Sequence, residues 1–164
     1  MNQILLFRFL CAALLMALIV SGGRAAAQLT EPLGFGAAVS VDQTEYSTRI
    51  SPFEPPTVYM NLRVFNLSDR PALIEFASGQ RFDFEIHDSS GELIWRWSDG
   101  KFFILILELL TIAPGEELSF AASHTLAAPD GEPLPEGTYT VTGRLASPSS
   151  KIEGKTSFAH FHLR

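Results

Sequence analysis

The chain has 164 residues, with 12 Lys and Arg against 18 Asp and Glu, a net charge of −6. This acidic balance, without a Lys/Arg cluster, argues against nucleic acid and anionic membrane surfaces as partners, because both bind proteins through cationic patches. The single cysteine, Cys11, excludes an internal disulfide and a thiolate metal site, so stability has to come from a packed core.

In chain order, Arg8 is followed by an almost wholly apolar run, Phe9 to Val20, then by Ser21-Gly22-Gly23 and Ala25-Ala26-Ala27. That is the layout of a secretory signal peptide over residues 1–27, and it predicts export to the periplasm or the medium. The apolar run is about a dozen residues, short of the roughly 20 a spanning helix needs, so no membrane span is expected in the mature chain. Cys11 follows Arg8-Phe9-Leu10 where a lipoprotein signal needs small residues, so lipid attachment is not expected. Residues 28–164 then form one domain of about 137 residues. Removing Arg8 and Arg24 leaves 10 cations against 18 anions, a net charge of −8.

Within 28–164, short runs of β-branched and aromatic residues alternate with Gly, Pro, Asp and Ser clusters, the habit of an antiparallel sandwich. Nine strands are predicted: Ala37–Asp42, Thr57–Asn66, Ala72–Ala77, Arg81–His87, Leu93–Trp97, Phe103–Leu107, Glu117–His124, Thr138–Ala146 and Thr156–Leu163. About 7–9 strands fit an all-β, immunoglobulin-like antiparallel β-sandwich. Tyr139, just after the Gly137 turn, resembles the corner tyrosine of such folds.

The stretch Ser78 to Phe103 is the most patterned. Phe82, Phe84 and Ile86 alternate with Arg81, Asp83, Glu85 and His87, which predicts a strand with three buried and four solvated side chains. Asp88-Ser89-Ser90-Gly91 reads as a turn. Leu93, Trp95 and Trp97 share one face of the returning strand, with Ile94 and Arg96 on the other.

This stretch, "SGQRFDFEI" with Asp88, Gly91, Glu92, Trp95, Trp97, Ser98, Gly100, Lys101 and Phe102 behind it, resembles the BsuPI-type intracellular proteinase inhibitor domain family. Ala113-Pro114-Gly115-Glu116, Gly131, Leu134, Pro135, Gly137 and Tyr139 follow in the family's order, so the resemblance covers roughly Val39 to Leu145. It implies an immunoglobulin-like sandwich and inhibition of serine proteases, the activity for which the founding member is named. A secretory signal departs from the intracellular name, as does Phe103-Ile104-Leu105 where such domains often carry Phe-Thr-Gln.

Candidate contact residues follow. An inhibitor acting as a substrate mimic needs an exposed, preorganised loop. Ser98, Asp99, Gly100, Lys101 and Phe102 are the first candidate and Pro52 to Pro56 the second, the competing reading of each being a plain turn. Trp95, Arg96 and Trp97 form either an aromatic and cationic anchor or a core pair with Arg96 outside. The run Phe102 to Ile112, broken only by Glu108 and Thr111, reads either as a strand buried on both faces or as an apolar patch for self-association or partner binding.

His160 and His162 point the same way on a strand, with His87 or His124 as a conceivable third ligand, but the spacing is too common for a metal to be expected. Asp83 and Glu85, roughly 7 Å apart on one strand face, suit paired-carboxylate chemistry but read better as a polar face. Asn66-Leu67-Ser68 matches a glycosylation sequon. Without a nucleophile elbow, HExxH, phosphate loop or dinucleotide fingerprint, no enzyme and no cofactor are expected. The expectation is an exported, noncatalytic protein-binding sandwich, with a serine protease as the partner that the family resemblance implies. The alternative is a structural module of a cell-envelope or secreted assembly without inhibitory activity.

Overall fold

In the computed structural model, residues 34–48, 55–148 and 156–164 are described. They form ten strands: β1 (Phe35–Val41), β2 (Glu45–Tyr46), β3 (Thr57–Asn66), β4 (Ala72–Phe76), β5 (Phe82–His87), β6 (Leu93–Arg96), β7 (Glu108–Ile112), β8 (Glu117–Thr125), β9 (Gly137–Leu145) and β10 (Ser157–Leu163). Their order is β1-β3-β8 in one sheet, β2-β10-β9-β5-β6 in a second and β4-β7 in a small third, antiparallel except for the short β2–β10 pair. The chain is therefore an all-β, immunoglobulin-like sandwich. Residues 1–27, the expected signal peptide, lie outside the described residues.

Alternation builds the core. In β3, Val58, Met60, Leu62 and Val64 are buried while Tyr59 and Arg63 face out. Phe84 and Ile86 from β5, Tyr139 and Val141 from β9, and Phe161 from β10 meet them from the second sheet. Each such side chain contributes about 2 kcal/mol on leaving water. Phe82 stacks on Phe120 of β8 at 5.1 Å, and Trp95 of β6 stacks on His124 of β8 at 4.5 Å, closing one edge of the sandwich. At the other edge β1 approaches so closely that a Cβ on Gly143 would lie 2.6 Å from Val39 Cγ2 and 3.1 Å from the Phe84 ring.

Two polar devices fix the connections. The Tyr139 hydroxyl donates to the Pro135 carbonyl at 2.7 Å, and its ring stacks on Phe161, so the expected corner tyrosine is in place. Asn66 is buried at the end of β3: its Nδ2 donates to the carbonyls of Arg70 and Ile112, and its Oδ1 accepts from the Ser68 amide and hydroxyl. An amide nitrogen donating twice inside the fold is no glycan acceptor, so the sequon is a structural clasp.

Two expectations about strands need correction, and one short strand was not expected. The expected strand Phe103–Leu107 is irregular, and β7 begins at Glu108. Pairing decides this: β7 matches β4 with Ala72 opposite Ile112 and Ile74 opposite Leu110, which buries Ile112 and leaves the earlier apolar residues unpaired with β4. In β6, a register shift opposite Ile86 and His87 puts Ile94 as well as Trp95 and Trp97 against the core and leaves Leu93 exposed. The two-residue β2 is too short to show a period.

Gly143→Ala is expected to lower stability by about 1–3 kcal/mol, because Val39 and Phe84 cannot both retreat. Tyr139→Phe should cost about 1 kcal/mol by losing one hydrogen bond. Urea unfolding of the two variants checks both, and an unchanged Gly143→Ala would mean that β1 does not lie against β9.

Candidate functional site

Between β6 and β7 the chain runs out of the sheets as the segment Trp97 to Leu107, and its base is built by β5 and the residues just before it. Asp83, 1 % exposed, accepts from the Ser98 amide at 3.1 Å, the Ser98 hydroxyl at 2.8 Å and Arg144 Nη2 at 2.9 Å. Arg81 donates twice to Glu108, with Nη2 to Oε1 at 2.6 Å, and the Gly79 amide donates to the Ile104 carbonyl at 2.9 Å. Gly79, Arg81 and Asp83 are alternate residues, so one edge of the motif pins the segment near its start, its middle and its end.

The turn has its own frame. The Asp99 amide donates to the Arg96 carbonyl and the Lys101 amide to the Ser98 carbonyl, while Gly100 takes a positive φ of 72° that suits glycine. Lys101 folds back: its Nζ donates to the Trp97 carbonyl at 2.7 Å and lies 4.6 Å from the Trp97 ring centroid. Arg96 donates to Glu85 at 2.8 Å and approaches Asp99 at 3.8 Å. Trp95 and Trp97 are half-buried against the core, and Trp97 lies between Phe82 at 4.3 Å and Phe103 at 5.7 Å.

Beyond the turn, apolar side chains face solvent. Phe102 is fully exposed at 101 %, Leu105 at 93 %, and Ile104 and Leu107 are also open, whereas Phe103 turns back onto Trp97. The buried-strand reading of Phe102 to Ile112 therefore fails for residues 102–107. Pro52 to Glu54, in the second candidate loop, lie outside the described residues.

Asp83 and Glu85 do not act together. Asp83 serves Ser98 and Arg144, whereas Glu85 serves Arg96 and, at 3.7 Å, His87. The expected solvated position of Asp83 is corrected by the turn that covers it. Asp88 accepts from the Ser90 hydroxyl and from the amides of Glu92 and Ser90, which holds its carboxyl below the usual range, and Gly91 takes a φ of 87°. His160 and His162 pair through Nδ1 with Thr140 and Thr138, and the described residues hold no cluster of three metal-ligating side chains. Among the described residues no helix is long and apolar enough to cross a membrane.

A cavity of about 560 Å³ lies on the Trp95 side, lined by Glu92, Trp95, His124, Pro129 and Leu134 among others. His124 Nε2 is buried there without a hydrogen-bond partner, and burial lowers the imidazole pKa from its ordinary 6.5. Because the folded state disfavours the imidazolium, the stability tied to a neutral His124 is complete above about pH 6.5 and falls as pH drops below that value. Urea unfolding across pH 4–8 should show this loss, and His124→Phe, which keeps a ring on Trp95, should flatten it.

Asp83→Ala removes the carboxylate that holds Ser98 and Arg144, with an expected cost of about 1–2 kcal/mol, because the hydrogen bonds to Ser98 are lost while the half-exposed Arg144 stays hydrated. The same variant should be clipped within Ser98–Leu107 by a broad-specificity protease faster than the parent, under conditions where both are folded.

A family profile described as BsuPI, intracellular proteinase inhibitor, matches residues 41–150. A comparison with curated protein sequences found no match. Among solved structures, a β-glucosidase from Erythrobacter marinus is similar at 13 % identity and a TM-score of 0.45, over 79 % of this chain and 15 % of that one. A CARDB domain from Pyrococcus furiosus is similar at 11 % identity and a TM-score of 0.43, over 79 % of this chain and 94 % of that one. The chain thus spans only a small part of the β-glucosidase. The family description overturns the expectation of periplasmic or secreted localisation, which rested on the signal-peptide layout of residues 1–27: the matching family is described as intracellular. With residues 41–150 inside that profile, the chain belongs to the BsuPI family of intracellular proteinase inhibitors.

Proposed function

We propose that this chain is a noncatalytic protein-binding domain that inhibits a serine protease through the segment Ser98–Leu107. The observation that carries the reading is the combination of exposure and anchoring: Phe102 and Leu105 stand in solvent, yet Ser98 is bonded to Asp83, Ile104 to Gly79 and Glu108 to Arg81. A loop held near one conformation before binding loses little entropy when it docks, which is what tight occupation of a protease cleft requires. Exposed apolar side chains gathered in one segment supply the contact area. Trp97, against Phe103 and Lys101, then supports the segment from beneath instead of meeting the partner itself, while Trp95 stacks on His124.

The second reading is an interaction module without inhibitory activity, favoured by Leu107 and Leu109 continuing the apolar surface along β7. Self-association through Phe102 to Ile112 belongs to that reading.

The full chain is to be titrated against a panel of serine proteases, with residual activity and the mass of the domain followed together. Saturable inhibition at about one equivalent, with the chain intact, is the expected result. A panel left active, with the domain stable or simply digested, would reject inhibition and leave the apolar segment to an assembly contact.

A further inference from the structure

Resting on that inhibitory reading, the geometry points to Phe102 as the side chain that fills the target's primary specificity pocket. The target is then a protease whose pocket is apolar, not one that selects Lys or Arg.

Two neighbours at the apex compete for this role, and their surroundings separate them. Lys101 is occupied: its ammonium is held by the Trp97 carbonyl at 2.7 Å and by the Trp97 ring at 4.6 Å. Entering an anionic pocket would break both a charge-assisted hydrogen bond and a cation–π contact. Phe102 gives up nothing, since it is 101 % exposed and no ring contact involves it among the described residues. A phenyl ring moving from water into an apolar pocket buries about 150 Å² or more, the largest gain any single residue of this segment offers. The fold thus withdraws the cation and presents the aromatic ring.

The residues after Phe102 explain how such a contact resists turnover. Attack of the protease serine oxygen on the Phe102 carbonyl, with its proton passing to the protease histidine, breaks the Phe102–Phe103 bond. The same proton goes to the departing Phe103 nitrogen, leaving an ester and a free amine. Phe103 packs on Trp97 at 5.7 Å, and the Ile104 carbonyl is held by the Gly79 amide at 2.9 Å, so the new amine stays beside the ester. It can attack the ester again, re-form the peptide bond and return the proton to the serine oxygen, with no other reactant required. A tethered leaving group favours this reversal over hydrolysis.

The test compares the full chain with Phe102→Ala, Phe102→Lys, Lys101→Ala and, as a control, Phe158→Ala, which removes an exposed aromatic ring on β10. Inhibition constants are measured against one protease with an apolar pocket and one with a Lys/Arg pocket. Phe102→Ala should weaken inhibition of the first about a hundredfold, Phe102→Lys should confer inhibition of the second, and Phe158→Ala should change neither. Inhibition of the apolar-pocket enzyme that survives Phe102→Ala within about threefold would overturn the assignment while leaving the inhibitory reading intact. Inhibition confined to the Lys/Arg enzyme and lost with Lys101→Ala would do the same. A wild-type chain that inhibits neither enzyme overturns both.

Discussion

The buried carboxylate of Asp83 is the constraint on which the exposed part of this molecule depends. An ion at 1 % exposure costs several kcal/mol of desolvation unless donors replace water, and it has three: the Ser98 amide, the Ser98 hydroxyl and Arg144. Two come from the turn that leaves β6 and the third from β9, so satisfying one charge fixes the turn against the sheet. The partial exposure of Arg144 keeps that guanidinium hydrated while its tip reaches inward, which avoids burying a full ion pair.

Arg81 and Gly79 extend the same logic. Gly79 and Arg81 before β5 and Asp83 within it each hold the segment 98–108, while Phe82 and Phe84 pack into the core. A single short strand thereby couples the hydrophobic interior to the exposed segment. Weakening the core contacts of β5 would loosen the base of the segment, even though none of those residues reaches the surface that a partner would meet.

Much of this was legible in the sequence where the cause is local. Alternation in Phe82 to His87 gave the strand and its buried aromatic face, Asp88 and Gly91 gave the turn, and Gly137-Thr138-Tyr139 gave the corner. The polar side of β5 was misread for a physical reason: a period of two says which face a residue takes, not whether something later in the chain covers that face. Asp83 is covered by Ser98, 15 residues on. The apolar run from Phe102 failed in the same way, because every register of such a run looks alike until β4 selects Glu108–Ile112. Asn66-Leu67-Ser68 shows the converse, a local pattern whose meaning is decided by burial. Turn residues marked Ser98 to Phe102 as a loop, but the pins at Gly79, Arg81 and Asp83 are long-range and carry no local signal.

The segment also confronts a general hazard. Consecutive exposed apolar residues next to a strand invite pairing with other chains, and folded proteins ordinarily hide or charge such edges. Here the hazard is limited by anchoring: Glu108 begins β7 with a charge held by Arg81, and the Ile104 carbonyl is already taken by the Gly79 amide. What stays available is side chains, Phe102 and Leu105 above all, on a segment held at Ser98, Ile104 and Glu108. A surface of that kind suits a partner that offers pockets better than one that offers a strand edge, and this links the pinning by Asp83 to the kind of recognition the loop can perform.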